Sequence, residues 1–142
     1  MRTSARNQFT GKVTDVRHGA VNDEIQLEIA GGQTIVAVVT HRSAENLGLQ
    51  VGTEAFALIK ASSVIVMVDA DESRMSARNC LTGVVTRLEP GAVNSEVVLE
   101  LPGGSSVAAI VTLESAKHLG LEVGKPASAL FKASSVILGV SD

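Results

Sequence analysis

The sequence predicts an all-β fold: two tandem OB-like five-stranded barrels, each carrying one short helix. Three observations lead there. The 142-residue chain repeats itself at an offset of 72, so that Ser4–Ala70 aligns with Ser76–Asp142 without a gap and 37 of the 67 paired positions are identical. Within each copy, apolar residues alternate with polar ones at the period of a half-buried strand. The apolar content is almost wholly aliphatic, with three Phe and no Trp or Tyr, and rich in the β-branched residues that favour strands. The repeat divides the chain into a first domain over 1–70, a polar linker over 71–75 and a second domain over 76–142.

Each element has its own reason. Phe9–Arg17 is the first predicted strand. Glu24–Ile29 alternates without a fault and is the second, Gly31-Gly32 is the hairpin turn after it, and Ile35–Val39 is the third. Only Ser43–Leu47 reads as helix, with Ser43 as N-cap and Gly48 as the residue that ends it. Ala55–Ile59 and Val64–Val68 complete five strands. The second copy repeats the pattern, for instance over Glu96–Leu101, Gly103-Gly104 and Val107–Val111. Five short strands with a helix between the third and fourth fit a small OB-like barrel. About 65 residues make a thin core. The apolar content of each copy therefore predicts packing between copies or between chains.

Composition excludes several classes. A net charge of −3 supplies no basic field for nucleic acid or an anionic membrane. Cys80 stands alone and cannot form an intrachain disulfide. No apolar run exceeds five residues, which argues against a membrane span and a secretory leader. The expected compartment is the cytoplasm. Nucleophile elbow, Walker loop and dinucleotide fingerprint are all missing from the sequence, so a non-enzyme is expected. His18, His41 and His118 align with Pro90, Leu113 and Asn46 and show no metal-ligand spacing, so they read as surface or loop residues. Cys80 reads as a small buried residue near a strand start. Glu24 and Glu28 recur as Glu96 and Glu100 on one strand face, where a solvated or interface role is expected.

The cations carry the chemical signal. Most charges change between copies, but Arg6 recurs as Arg78 and Lys60 as Lys132. Both lie in hydroxyl-rich segments, and Thr40/Thr112 and Ser43/Ser115 recur at the helix entrance. Cations, hydroxyls and free backbone amides together are what a small oxyanion needs. The competing reading is equally open on composition: the cations pair with Glu24 or Glu28 at the surface, and Ser62-Ser63 only make a turn.

Four repeated segments settle the resemblance. They are Ser-Ala-Arg-Asn at the start of each copy, Gly-Ala-Val-Asn after the first strand, Leu-Gly-Leu-x-Val-Gly after the helix and Lys-Ala-Ser-Ser-Val-Ile at the last strand. The chain resembles the molbindin family, the molybdate-binding Mop/TOBE domain, as two complete domains in tandem. The resemblance implies an OB-like barrel and rings of six modules, hence a homotrimer of a tandem chain. It also implies molybdate or tungstate held between modules by hydrogen bonds, with no side chain coordinating the metal. One implied site joins Ser4, Arg6, Lys60, Ala61 and Ser62 of one module to Thr40 and Ser43 of a neighbour. Its twin uses Ser76, Arg78, Lys132, Ala133 and Ser134 with Thr112 and Ser115. A second site class is placed on the three-fold axis at Val21, Asn22, Val93 and Asn94.

Storage and homeostasis of molybdenum is the expected role, with a molybdate-sensing or regulatory module as the alternative. Within the 142 residues no helix-turn-helix or ATPase segment accompanies the pair, which favours storage. A tandem OB protein binding single strands needs a basic groove with stacking aromatics, and three Phe at net charge −3 argue against it.

Overall fold

Alternating burial turns the predicted pattern into strands. In β1 (Asn7–His18) the side chains of Asn7, Phe9 and Val13 are buried while Gln8, Thr10 and Lys12 face out. The computed structural model describes residues 1–141, and in them β1 is followed by β2 (Asn22–Ile29), β3 (Thr34–Thr40), α1 (His41–Leu47), β4 (Glu54–Ile59) and β5 (Ile65–Met67). The second copy repeats the order as β6 (Asn79–Pro90), β7 (Asn94–Glu100), β8 (Ser106–Thr112), α2 (Leu113–His118), β9 (Pro126–Phe131) and β10 (Ile137–Gly139). The all-β expectation holds, with one five-stranded sheet for each expected barrel. All pairings are antiparallel, and the first half of β1 pairs with β4 while its second half pairs with β2. A register shift between Val13 and Asp15 bends the strand between these two partners.

The helices start earlier than predicted. Thr40, not Ser43, is the N-cap of α1: its Oγ1 accepts a hydrogen bond from the Ser43 N–H at 3.1 Å, and Thr112 does the same for Ser115 at 3.0 Å. Thr40 sits in extended backbone, which is where a cap belongs, so His41 becomes the first helical residue. Gly48 ends α1 in the left-handed region, as expected.

The last strand of each copy departs most from the linear reading. The two sheets run β10-β4-β1-β2-β3 and β5-β9-β6-β7-β8. The first copy's last strand completes the second copy's sheet, and the reverse. Ile137–Gly139 pairs with Phe56–Leu58, and Ile65–Met67 pairs with Ser128–Leu130. β10 also lies against β3, and β5 against β8, which brings the two edges of each sheet together. The reason is a shared pattern. The β4 and β9 edges agree at three of six residues and alternate alike, so the alternation identifies a strand without identifying its partner.

Side chains lock the exchange. Asn7 is buried, donates to Ala108 O at 2.8 Å and accepts from Ala108 N at 2.7 Å. Asn79 makes the same pair of bonds to Val36, both at 2.8 Å. Each amide thus satisfies a backbone N–H and C=O on the edge strand of the other copy. The turns after β2 and β7 also meet. Gly31 (φ 86°) and Gly103 (φ 92°) touch backbone to backbone, and a Cβ on Gly103 would lie 2.6 Å from Gly31 Cα. Both turns have the expected glycines. The first is wound into a short 3₁₀ turn, Ala30–Gly32. Both copies share one hydrophobic core, with Ile25, Leu27, Ile35 and Ile59 from the first and Val97, Leu99, Val107 and Phe131 from the second.

Candidate functional site

Register brings the repeated polar segments together. Because Asn7 pairs with Ile59 across β1 and β4, the residues before β1 lie beside those after β4. Ser4, Arg6, Lys60, Ala61 and Ser62 line one pocket of about 460 Å³. Its apolar wall is Leu58 with Ile110 and Ile137, the latter two from the second copy. The Asn79–Phe131 pairing builds the counterpart. There Ser76, Arg78, Lys132, Ala133 and Ser134 line about 380 Å³, against Leu130 and Phe131 and the first copy's Val38 and Ile65. Each pocket is therefore a junction between the two copies. Lys60 and Lys132 are exposed and form no ion pair among the described residues. Ala61 and Ala133 are buried, so only their backbone can serve a ligand. They open 3₁₀ turns in which Ser63 N–H bonds Lys60 O and Ser135 N–H bonds Lys132 O, both at 2.9 Å.

The arginines are committed differently from the lysines. Arg6 grips Glu96 through both terminal nitrogens, at 2.5 and 2.6 Å. Arg78 grips Glu24 likewise, at 2.9 and 2.6 Å. The two bidentate pairs cross between copies. Hydrogen bonding by the guanidinium holds the Glu24 and Glu96 carboxyls below the usual carboxylate range, and raises both arginines in return. Of the two readings left open by composition, the arginines follow the ion-pair one, with the glutamate of the other copy as partner. Glu28 and Glu100, on the same strands, stay exposed.

Thr40, Ser43, Thr112 and Ser115 lie elsewhere on the chain. Within each helix entrance the Thr hydroxyl donates to the Ser Oγ, at 2.8 and 2.7 Å. Thr112 and Ser115 line a separate cavity of about 510 Å³ with Val64, Ile65 and Val66. Val21, Asn22, Val93 and Asn94 sit exposed where the turns enter β2 and β7, outside both copy-junction pockets. The Val21 and Val93 carbonyls accept the first N–H of α1 and α2. Cys80 is half-buried in β6, where burial and the Glu72 carboxylate push its thiol up and away from reactivity.

One cluster was not visible in the sequence. His18 at the end of β1 and His41 at the start of α1 both turn their Nδ1 atoms to Asp23, whose side chain is fully buried. Burial pushes the Asp23 carboxyl up, but hydrogen bonds from His18, His41 and the Gly19 N–H outweigh it and hold it below the usual range. The Asp23 and Glu45 carboxylates raise His41. The spacing 18–23–41 has no motif form, and pairing of β1 with β2 and of β2 with β3 is what closes it.

Comparison with known proteins agrees with this architecture. A TOBE domain profile matches residues 3–66 and again 75–138. The chain is 49% identical over 140 residues to a molybdenum-pterin-binding protein, MopA, of Rhodobacter capsulatus, covering 99% of this chain and 53% of that protein. It is also 49% identical to a molybdenum transport protein, ModE, of Azotobacter vinelandii, covering 52% of it. The chain thus spans about half the length of these curated relatives. Among solved structures, it superposes with a TM-score of 0.96 on a cytoplasmic molybdate-binding protein, ModG, crystallised with molybdate bound. That match has 49% identity and covers 99% of this chain and 100% of that one. Two profile matches that fall on the two sequence repeats, together with this superposition, make the chain a member of the TOBE domain family, built from two tandem copies.

Proposed function

We propose that this chain binds molybdate, and tungstate as its analogue, in the two copy-junction pockets, and serves molybdenum storage and homeostasis without catalysis. One observation carries the reading. Segments more than fifty residues apart, each holding a cation and hydroxyls and each present twice, are brought together twice in the same way. A tetrahedral dianion offers four acceptor oxygens and no donor. Lys60, Ser4, Ser62 and the Ala61 backbone present donors, and the aliphatic walls keep those bonds strong by excluding water. Lys132, Ser76, Ser134 and Ala133 repeat the set. Arg6 and Arg78 hold the copies together at the pocket rim through their glutamates.

The relatives named for molybdenum and the ModG structure with molybdate support this ligand class, and ModG's description as cytoplasmic supports an intracellular setting. Among the described residues no helix is long and apolar enough to cross a membrane. A homotrimer belongs to the same reading. Val21, Val51 and Ile65 are exposed on the first copy, and their counterparts Val93, Val123 and Ile137 on the second, so apolar surface recurs in register for burial between chains. In such an assembly Thr40 and Ser43 of a neighbouring module would reach the Lys60 pocket, and the three-fold axis would gather Val21 and Asn22, and separately Val93 and Asn94. A second reading, the ligand-sensing half of a regulator, is favoured by one fact: the ModE relatives, transcriptional regulators among them, are about twice this length.

Titration calorimetry at fixed ionic strength tests the site. Molybdate and tungstate should bind alike. Sulfate is smaller and leaves donors unpaired, at about 1–3 kcal/mol each, so two losses weaken it by roughly two powers of ten or more. Lys60→Ala with Lys132→Ala should lose about tenfold or more in molybdate affinity, the cost of a charge-assisted bond. Unchanged affinity in that folded double variant, or displacement of micromolar molybdate by millimolar sulfate, overturns the reading.

A further inference from the structure

The three polar side chains at 18, 23 and 41 form a site that only the first copy has. Their ligand atoms lie within 4.8 Å of one another. His18 Nδ1 is 2.9 Å from Asp23 Oδ2, and His41 Nδ1 is 3.0 Å from each Asp23 oxygen. The rings stand edge to face, with centroids 5.5 Å apart. On the far side of its ring, His41 Nε2 is 2.9 Å from Glu45 Oε1.

That last contact decides what the cluster demands. A neutral imidazole has one N–H and one lone pair. Both nitrogens of His41 face carboxylates, so a neutral ring donating to Glu45 would turn its Nδ1 lone pair on the Asp23 carboxylate. A ring proton or a cation on the Asp23 side makes the arrangement favourable. A carboxylate behind a histidine that points its other nitrogen into a site is the outer-shell pattern of metal-bound imidazole. Two imidazole nitrogens and one carboxylate oxygen, with His18 open to solvent for a water ligand, match the preference of zinc-class ions. Such ligands sit about 3.3 Å apart around a tetrahedral ion, given bonds of about 2.0–2.1 Å. The observed separations therefore need shifts of only a few tenths of an ångström to somewhat more than one.

The repeat supplies the internal control. At the corresponding positions the second copy has Pro90, Ser95, Leu113 and Lys117, so all four groups are gone while the fold is the same. Ser95 there is buried with no hydrogen-bond partner for its hydroxyl. The barrel does not require this cluster, and the first copy carries it complete. We propose that His18, Asp23 and His41 form a binding site for one divalent transition-metal ion of the zinc class, with Glu45 orienting His41.

The test uses the full chain after treatment with a chelator. Co²⁺ is titrated by visible absorption and Zn²⁺ by calorimetry, with circular dichroism to confirm folding. One ion per chain is expected, with the intense visible bands of tetrahedral Co²⁺, and Zn²⁺ should raise the unfolding temperature. His41→Leu, which installs the second copy's residue, and His18→Ala should each weaken binding at least tenfold. His118→Asn, which removes the only histidine outside the cluster, should bind as the parent does. No ion bound at micromolar concentration overturns the site. So does equal binding by folded His41→Leu and His18→Ala, or loss of binding in His118→Asn.

Discussion

At the scale of single residues, Asn7 and Asn79 matter most for holding the fold together. Each is buried, and each replaces a missing strand partner by bonding both backbone groups of one edge residue, Ala108 or Val36. In the sequence the asparagine ends a recurring Ser-Ala-Arg-Asn segment whose charged residue is the arginine. The structure assigns them distinct tasks: the asparagine docks the copies from within, and the arginine clasps Glu96 or Glu24 at the surface. Asn79→Ala leaves the Val36 N–H and C=O without their partner. Removing a partner from a buried polar group costs about 1–3 kcal/mol. The expected loss is roughly 2–4 kcal/mol, measured by urea denaturation, with the backbone fold retained. A loss under about 0.5 kcal/mol, the range of ordinary surface changes, would mean that water replaces the amide at no cost.

At the scale of elements, the exchanged strands set what depends on what. β10 lies at the far end of the chain yet hydrogen-bonds to β4 of the first copy, with Leu138 opposite Ala57. The sequence-adjacent strand β9 has β5 and β6 as its neighbours instead. Deleting residues from 137 onward should therefore expose the β4 edge. Hydrogen exchange should accelerate at the amides of Phe56 and Leu58, while β9 keeps its protection. Faster exchange confined to β9 would show that each copy closes its own sheet in solution. The helices illustrate a smaller point at this scale. The sequence reading puts the cap at Ser43, three residues too late. Extended backbone at Thr40 selected the threonine, and that choice made His41 a helical residue aimed at Asp23.

For the whole molecule, the two copies behave as one unit: core, sheets, turns and ion pairs all cross between them. The cross-copy ion pairs give that unit a pH dependence. Glu24 and Glu96 titrate below their ordinary 4.5 because arginine hydrogen bonds favour the ionised form. A carboxyl depressed in the folded state contributes stability that is fully present above its unfolded-state pKa and is lost as pH falls through the folded-state value. Stability should thus hold near neutrality and drop as pH falls below about 4.5. Glu24→Gln with Glu96→Gln should flatten that acid limb while lowering stability at neutral pH. Denaturant melts across the acid range check it, and an unchanged acid limb would mean that these pairs contribute nothing to docking.

The sequence by itself determined the repeat, the strand order within each copy and the aliphatic core. These follow from local periodicity and from a hairpin-rich chain in which neighbouring strands pair. The convergence of Ser4–Arg6 with Lys60–Ser62 was implied by the family resemblance alone, and the pairing of β1 with β4, which are not sequence neighbours, is what makes it. Tertiary structure alone decided three things. It chose which sheet the last strand of each copy joins, because two edges of the same alternation compete for it and alternation is blind to the choice. It turned Arg6 toward Glu96 and Arg78 toward Glu24, contacts that span 90 and 54 residues and depend on how the copies dock. It also gathered His18, Asp23 and His41, three residues without motif spacing, around one buried carboxylate. The first two are long-range juxtapositions between groups whose local sequences are compatible with other partners, and the third closes across two successive strand pairings; only the packed chain selects among them.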